Sequence, residues 1–298
     1  KNITLYAVQK KAVQLTFHRC DGSTWQKTTL AKGSSYSLPG VRDAEGYTFM
    51  GWSTKPMQSV SPQYEAEEKI TVNGNVDLYA VVFNRTTETD LTEDQLPQVD
   101  IYKYKQVIFV GDSRTEFMEN VLTGMGESAT KNVKFVCSAG KGLDWFTTTG
   151  WAQLYSIVQH DSNRILSKKT AVIFNFGVND LSKSADYAEY YNWIAPQLKS
   201  KGCELYFMSV NPVNRLMLPN AGRADRSEAA VRSFNQYMKP NLSSAYTYID
   251  MYSYLKSTGY SFASDHYGTG TVDDGLHYTT RTYKRIFAKC MDSLRVPA

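Results

Sequence analysis

Hydrophobic and polar positions along this chain follow two rhythms. In the first eighty-odd residues, short alternating runs such as Val13-Gln-Leu-Thr-Phe17 and Val76-Asp-Leu-Tyr-Ala-Val81 are separated by Asp21-Gly22, Lys32-Gly33 and Asn73-Gly74. Period-two alternation punctuated by turn dipeptides predicts a small all-β module. From Tyr104 the rhythm changes to apolar runs at 106–110, 133–137, 171–176, 204–210 and 246–249. Helix-like stretches lie near 115–124, 151–168, 185–200, 226–239 and 280–294. Strands alternating with helices predict a parallel sheet covered on both faces. The right-handed crossover rule then favours a doubly wound, flavodoxin-like α/β/α layout. Residues 85–103, with Thr-Thr-Glu-Thr-Asp and Glu-Asp-Gln-Leu-Pro, have almost no apolar periodicity and are expected to form a linker.

The β part repeats itself. Asn2-Ile-Thr-Leu-Tyr-Ala-Val8 matches Asn75-Val-Asp-Leu-Tyr-Ala-Val81 at a spacing of 73 residues. Residues 1–9 are therefore expected to be the last strand of a preceding unit and 10–84 a complete one, with further repeat modules in the parent chain. The absence of an initiating Met and of a signal peptide fits an excised or processed fragment.

Composition narrows the classes. At 298 residues, 42% hydrophobic and 21% charged, the chain reads as globular. A formal charge of +4 with no Lys/Arg cluster implies no nucleic-acid partner. No apolar run approaches the ~20 residues of a membrane span. Cys20, Cys137, Cys203 and Cys290 are far apart without a C-x-x-C pair, which disfavours zinc. Buried thiols are expected at Cys137 and Cys203, while the even count leaves a disulfide open.

Chemistry gathers around Val107-Ile-Phe-Val-Gly-Asp-Ser113, a buried-strand pattern running into a strand end. The second strand leads into Ser138-Ala-Gly140-Lys-Gly142-Leu-Asp-Trp145 and the third into Gly177-Val-Asn179-Asp180. Asp273-Asp274-Gly-Leu-His277 comes just ahead of the last helix. In a parallel sheet the strand ends share one rim, onto which His277 has to fold. A serine hydroxyl needs a base to become nucleophilic, and the base needs a carboxylate to fix its tautomer. His277 and Asp274 suit those parts. The Asn179 amide and the backbone N–H groups of Gly142 and Ser113 could stabilise a tetrahedral oxyanion, with Gly140 as the fallback glycine. Each piece also has a bland explanation. Asp112 shapes the strand-end turn, Asn179-Asp180 could cap a helix, and Asp274-Gly275 is a good turn dipeptide. His18, His160 and His266 have no motif around them and read as structural or surface. The G-x-S-x-G elbow of α/β-hydrolases is absent.

Taken in order, Gly111-Asp-Ser113, Gly140/Gly142, Gly177-Val-Asn-Asp180 and Asp274-Gly-Leu-His277 resemble the four blocks of the SGNH (GDSL-type) hydrolase family over about residues 105–296. The resemblance implies Ser113 as nucleophile, Asp274 and His277 as its partners, an oxyanion hole of Ser113, Gly142 and Asn179, and no metal or cofactor. It implies esterase, lipase, carbohydrate O-deacetylase or O-acyltransferase activity. Arg114-Thr115 and Ser138 depart from the family's usual residues. Gly46-Tyr-Thr-Phe-Met-Gly-Trp-Ser53, Tyr64, Ile70-Thr-Val72 and Leu78-Tyr-Ala-Val81 resemble the Listeria–Bacteroides type of repeat, close to internalin B-repeats. That resemblance implies a secreted or cell-surface bacterial setting. No long apolar lid separates the blocks, which argues against a lipase, and with the surface-module resemblance the preferred substrate is an acetyl ester on a cell-wall or dietary polysaccharide. Trp145 could stack on a sugar, and Arg114 could meet an anionic group unless it is an exposed helix-start arginine. An O-acyltransferase using the same residues and a non-catalytic adhesin are the alternatives.

Overall fold

The computed structural model describes residues 11–99, 103–161, 169–267 and 270–294. The first copy of the 73-residue repeat and the expected strand over 1–9 lie outside these residues. The β module consists of β1 (Ala12–His18), β2 (Thr24–Ala31), β3 (Ser34–Ser37), β4 (Tyr47–Ser53), β5 (Lys69–Val72) and β6 (Val76–Asn84). Its main sheet has the order β2-β1-β6-β4, and β3 pairs with β5 in a separate ribbon. Leu15, Phe17, Trp52 and Leu78 form its core, with the Phe17 and Trp52 rings 4.9 Å apart. His18 is held by Asp77 and the Gly22 carbonyl, a structural role as expected. The side chains of His160 and His266 fall outside the described residues.

The second part carries β7 (Tyr104–Gly111), β8 (Val133–Cys137), β9 (Lys169–Asn175), β10 (Cys203–Met208) and β11 (Tyr246–Ile249). They form one parallel sheet in the order β11-β10-β9-β7-β8, which is the flavodoxin-like arrangement. Because both faces are covered, successive strand residues alternate between two apolar cores. Ile108, Val110, Val172, Phe174, Leu205 and Phe207 face one of them. That side is packed by α3 (Trp151–Asp161), α4 (Ser184–Ser200) and α5 (Glu228–Asn241). Val107, Phe109, Ala171, Ile173, Tyr206 and Met208 face the other. There the cover is α1 (Ser113–Met125), α6 (Met251–Thr258) and α7 (Thr280–Ser293); α2 (Leu143–Trp145) is a single turn after β8. Two elements have no counterpart in the sequence reading: α6, and the hairpin of β12 (Phe262–Tyr267) with β13 (Gly270–Tyr278). None of the four cysteines forms a disulfide among the described residues; Cys203 and Cys290 are buried and Cys137 is half-buried.

The segment after β6 is packed rather than slack. Residues 85–99 form two short 3-10 turns and bury Glu88, Leu96 and Val99. Glu88 accepts hydrogen bonds from Arg285 (3.0 Å) and Ser261 (2.6 Å). Met50, Val81 and Phe83 of the β module share one apolar cluster with Tyr104, Tyr260 and Ile286.

A buried cation reinforces this junction. Lys256, 6% exposed, donates to the Met50 carbonyl (2.9 Å) and pairs with Glu65 (2.9 Å) and Glu228 (2.8 Å). Glu228 also accepts from the Tyr252 hydroxyl and the Val213 N–H. Removing one partner of a buried pair strands the other charge. Lys256→Ala is therefore expected to destabilise the protein by about 3–5 kcal/mol in urea denaturation. A loss below about 1 kcal/mol would contradict the burial of this network.

Candidate active site

The site starts where β7 stops. Asp112 is the N-cap of α1, its Oδ1 accepting from the Arg114 N–H at 3.0 Å, so Ser113 occupies the first helical position. A helix cannot satisfy its own first N–H groups, which leaves the Ser113 amide directed outward. Capping α1 is how Asp112 shapes the strand-end turn. Burial pushes its carboxyl up to about 6, against the opposing pull of Arg114, and the charges of Asp180 and Arg226 also reach it. Gly111 lies opposite Asn175 in the sheet, so the first and third sequence blocks converge in space.

The hairpin β12–β13 brings the histidine. Gly275 adopts φ +66, a left-handed conformation favouring glycine, and so turns the chain back within the Asp274–His277 stretch. Asp274 Oδ1 then accepts from the N–H groups of both Leu276 and His277, each at 2.8 Å. Its Oδ2 lies 2.5 Å from His277 Nδ1, and His277 Nε2 lies 2.9 Å from Ser113 Oγ. A carboxylate only accepts, so the proton belongs on Nδ1 and Nε2 is left to accept from the serine. Phe117 sets its ring edge-on to the imidazole at 4.4 Å. Burial opposes ionisation of Asp274, but the hydrogen bond and charge of His277 and the two backbone N–H groups outweigh it. They hold the carboxyl below its usual range.

Arg114 corrects both expectations for that position. It is 2% exposed, so it neither meets a substrate anion nor lies in solvent. Its guanidinium donates to the carbonyls of Leu276 (3.0 Å), Asn211 (2.9 Å) and Pro212 (2.9 Å) and lies over the Tyr278 ring. The planar fork of donors matches three buried carbonyls, of which that of Pro212 also accepts from the Tyr278 hydroxyl.

The remaining blocks meet on the same rim. Ser138 N–H donates to the Gly111 carbonyl (3.3 Å) and Ala139 N–H to Glu116 (2.7 Å), tying the second loop to β7 and α1. Asn179 Nδ2 donates to the Lys141 carbonyl (2.8 Å), while its Oδ1 accepts from Arg226 (2.8 Å). A guanidinium only donates, so Arg226 fixes which way the amide faces and leaves the second N–H of Nδ2 free of these two contacts. Gly142 is needed for a close approach, because a Cβ there would collide with the Asp180 carboxylate. Asp180 in turn accepts from Leu143 N–H (2.9 Å) and the Tyr187 hydroxyl (2.7 Å). The fallback Gly140 instead adopts φ +70 with open space around it, which suits a turn. Trp145 is half-buried and packs on Phe176 and over Gly150 at the edge of the core.

Several residues of this neighbourhood escaped the sequence reading: Arg226, Tyr187, Phe117 and Arg223, whose guanidinium lies 3.4 Å from Asp274 Oδ2. Arg223 and Arg226 sit in a charged loop before the Ser227 cap, and no spacing rule aims such a loop at the strand ends.

Residues 14–81 match the sequence profile of the Listeria–Bacteroides repeat domain. No curated protein matches the chain. Among solved structures, the chain is similar to a candidate acylhydrolase from Bacteroides fragilis at 16% identity, covering 67% of this chain and 92% of that one with a TM-score of 0.44. It is similar to an acetyl xylan esterase at 11% identity, covering 64% and 100%, TM-score 0.41. It is also similar to the C-terminal catalytic domain of a Streptococcus pneumoniae peptidoglycan O-acetyltransferase at 14% identity, covering 64% and 92%, TM-score 0.37.

The depressed Asp274 carboxyl sets a pH signature. A group whose folded pKa lies below its unfolded value of about 3.9 binds fewer protons when folded, so its stabilisation is full above pH ~4. It is lost as pH falls through the folded value. The stability deficit of Asp274→Asn relative to wild type is expected to be largest near neutrality and to shrink below pH ~4. Denaturation curves that keep a constant gap down to pH 2.5 would contradict this.

Proposed function

We propose that this protein is a serine ester hydrolase working through an acyl-serine, with Ser113, His277 and Asp274 as its catalytic triad. The observation that carries the reading is the continuous hydrogen-bonded line from Asp274 through His277 to Ser113, at 2.5 and 2.9 Å, in a site where all three side chains are buried. His277 Nε2 takes the hydroxyl proton as Ser113 Oγ attacks the ester carbonyl, and Asp274 stabilises the imidazolium that forms. The negative oxygen is stabilised by the N–H groups of Ser113 and Gly142 and by Asn179 Nδ2. His277 then protonates the departing alcohol, and water repeats the cycle on the acyl-enzyme.

The substrate class we favour is an O-acetyl ester on a cell-wall or dietary polysaccharide, cleaved outside or on the surface of a bacterium. Support for the setting comes from the repeat-profile match over residues 14–81. Among the described residues no helix is long and apolar enough to cross a membrane.

Ser113→Ala is expected to lower kcat on p-nitrophenyl acetate by at least about 10³-fold and to abolish covalent labelling by a fluorophosphonate. Unchanged hydrolysis would remove the assignment, and an unlabelled wild type would favour a non-catalytic adhesin. Acetate release from acetylated xylan, pectin and peptidoglycan is expected to exceed any activity on long-chain esters. Activity on long acyl chains alone would sink the glycan reading, and acetyl transfer to an added sugar in place of hydrolysis would make the enzyme a transferase.

A further inference from the structure

Among the described residues the hairpin that presents Asp274 and His277 pairs only with itself, so the five-stranded sheet does not set its position. Its place depends on contacts from the side. On the α/β side, Arg114 holds the Leu276 carbonyl, Asn214 N–H donates to the Gly275 carbonyl (2.9 Å) and the Tyr278 hydroxyl donates to the Pro212 carbonyl (2.5 Å). Arg223 also lies 3.4 Å from Asp274 Oδ2 on that side. Further contacts originate in the β module and the segment after it. Arg85 Nη2 donates to Asp273 Oδ2 at 2.6 Å, one residue from the triad carboxylate. The same nitrogen donates to Asp43 Oδ2 at 2.8 Å, and Arg85 Nε donates to Thr48 Oγ1 at 2.9 Å. Asp43 Oδ1 accepts from the Phe49 N–H and from Asn214 Nδ2, and Asn214 Nδ2 also donates to the Val41 carbonyl. Residues 273 and 275, on either side of Asp274, are thus both tied to Asp43, one through Arg85 and one through Asn214.

We propose that the β module acts as a positioning clamp for the acid–base turn, with Asp43 and Arg85 as positioning residues that hold Asp274 and His277 in line with Ser113. This deepens the esterase reading and rests on it. The clamp is not a surface ion pair: the Asp43 side chain is fully buried, and those of Arg85 and Asp273 are 16% and 14% exposed. Solvent therefore screens these contacts weakly. The module has a firm base from which to act, since Met50, Val81 and Phe83 share the core of the α/β part and Arg232 donates to the Ala66 carbonyl. A misplacement of about 1 Å at a catalytic group can reduce the rate about 10²-fold. A contact one residue from Asp274 therefore has leverage on kcat without touching substrate.

The test compares Arg85→Met, Asp273→Asn, the double variant, Arg85→Lys and Glu67→Gln in the full chain. Glu67 also bridges the two parts, to Arg215 and the Ala229 N–H, but away from the turn. Each of the first two is expected to lower kcat on p-nitrophenyl acetate about 10- to 100-fold with KM within about twofold. The double variant falls no further than the worse single one, Arg85→Lys recovers part of the loss, and Glu67→Gln leaves kcat unchanged. Hydrogen exchange supplies a readout independent of turnover: the Leu276 and His277 amides lose protection in Arg85→Met and keep it in Glu67→Gln. Unchanged kcat and protection in Arg85→Met, or an equal loss in Glu67→Gln, would overturn the clamp while fluorophosphonate labelling of wild type upholds the esterase reading. Failure of wild type to label would overturn that reading and the proposal together.

Discussion

A single buried cation ties this site together. Arg114 follows Ser113 in sequence, and from the first turn of α1 its guanidinium reaches the carbonyls of Asn211 and Pro212 beyond β10 and of Leu276 in the hairpin. The two partner segments begin 97 and 162 positions beyond Arg114 in the chain. Neither is joined to the other or to α1 by a strand ladder at that point. The cation is tolerated in the interior because its donors are matched by carbonyl oxygens and because Asp112 lies nearby. The requirement runs both ways: without the guanidinium these buried carbonyls would lose a charged donor, and without the carbonyls the charge could not be buried. The helix that begins at Ser113 and the hairpin that carries His277 are consequently parts of one packed unit.

Much of this architecture could be read from local pattern. The five parallel strands announce themselves as short, largely apolar runs, and the first three end in the small polar residues that a crowded rim requires. Ser113, Asn179, Asp274 and His277 were legible because each lies in a short motif whose spacing reflects local geometry. The Asp274–His277 pair, for instance, is closed by a turn of four residues. Arg114 was misread for the complementary reason. Its position in sequence is that of an exposed helix start, and only partners distant in sequence reveal it as interior. The residues after β6 illustrate the same limit. Glu88 and its neighbours have the composition of a linker, yet Arg285, Ser261 and Thr282 give the Glu88 carboxylate a buried setting that no window of sequence contains.

The β module is more than an appendage in energetic terms. Its contribution to the shared core is apolar, through Met50, Val81 and Phe83, but orientation comes from charged contacts at the margin of that core. Lys256, Glu65 and Glu228 form one such set, and Asp43, Arg85 and Asp273 another. Apolar burial is nondirectional, whereas buried ion pairs with geometric demands select one docking register. The two sets lie on different elements, so together they restrict rotation as well as separation of the parts.

The pairing of β1 with β6 has a mechanical consequence. These two strands run parallel, from Leu15 opposite Val76 to His18 opposite Tyr79, and they are the first and last strands of the module. Tension carried along the chain would enter at the start of β1 and leave at the end of β6, so the hydrogen bonds between them would be loaded together in shear rather than peeled one at a time. The module would then transmit load as a stiff link. Because the exit point is Asn84, next to Arg85, the force path would pass beside the turn that carries Asp274.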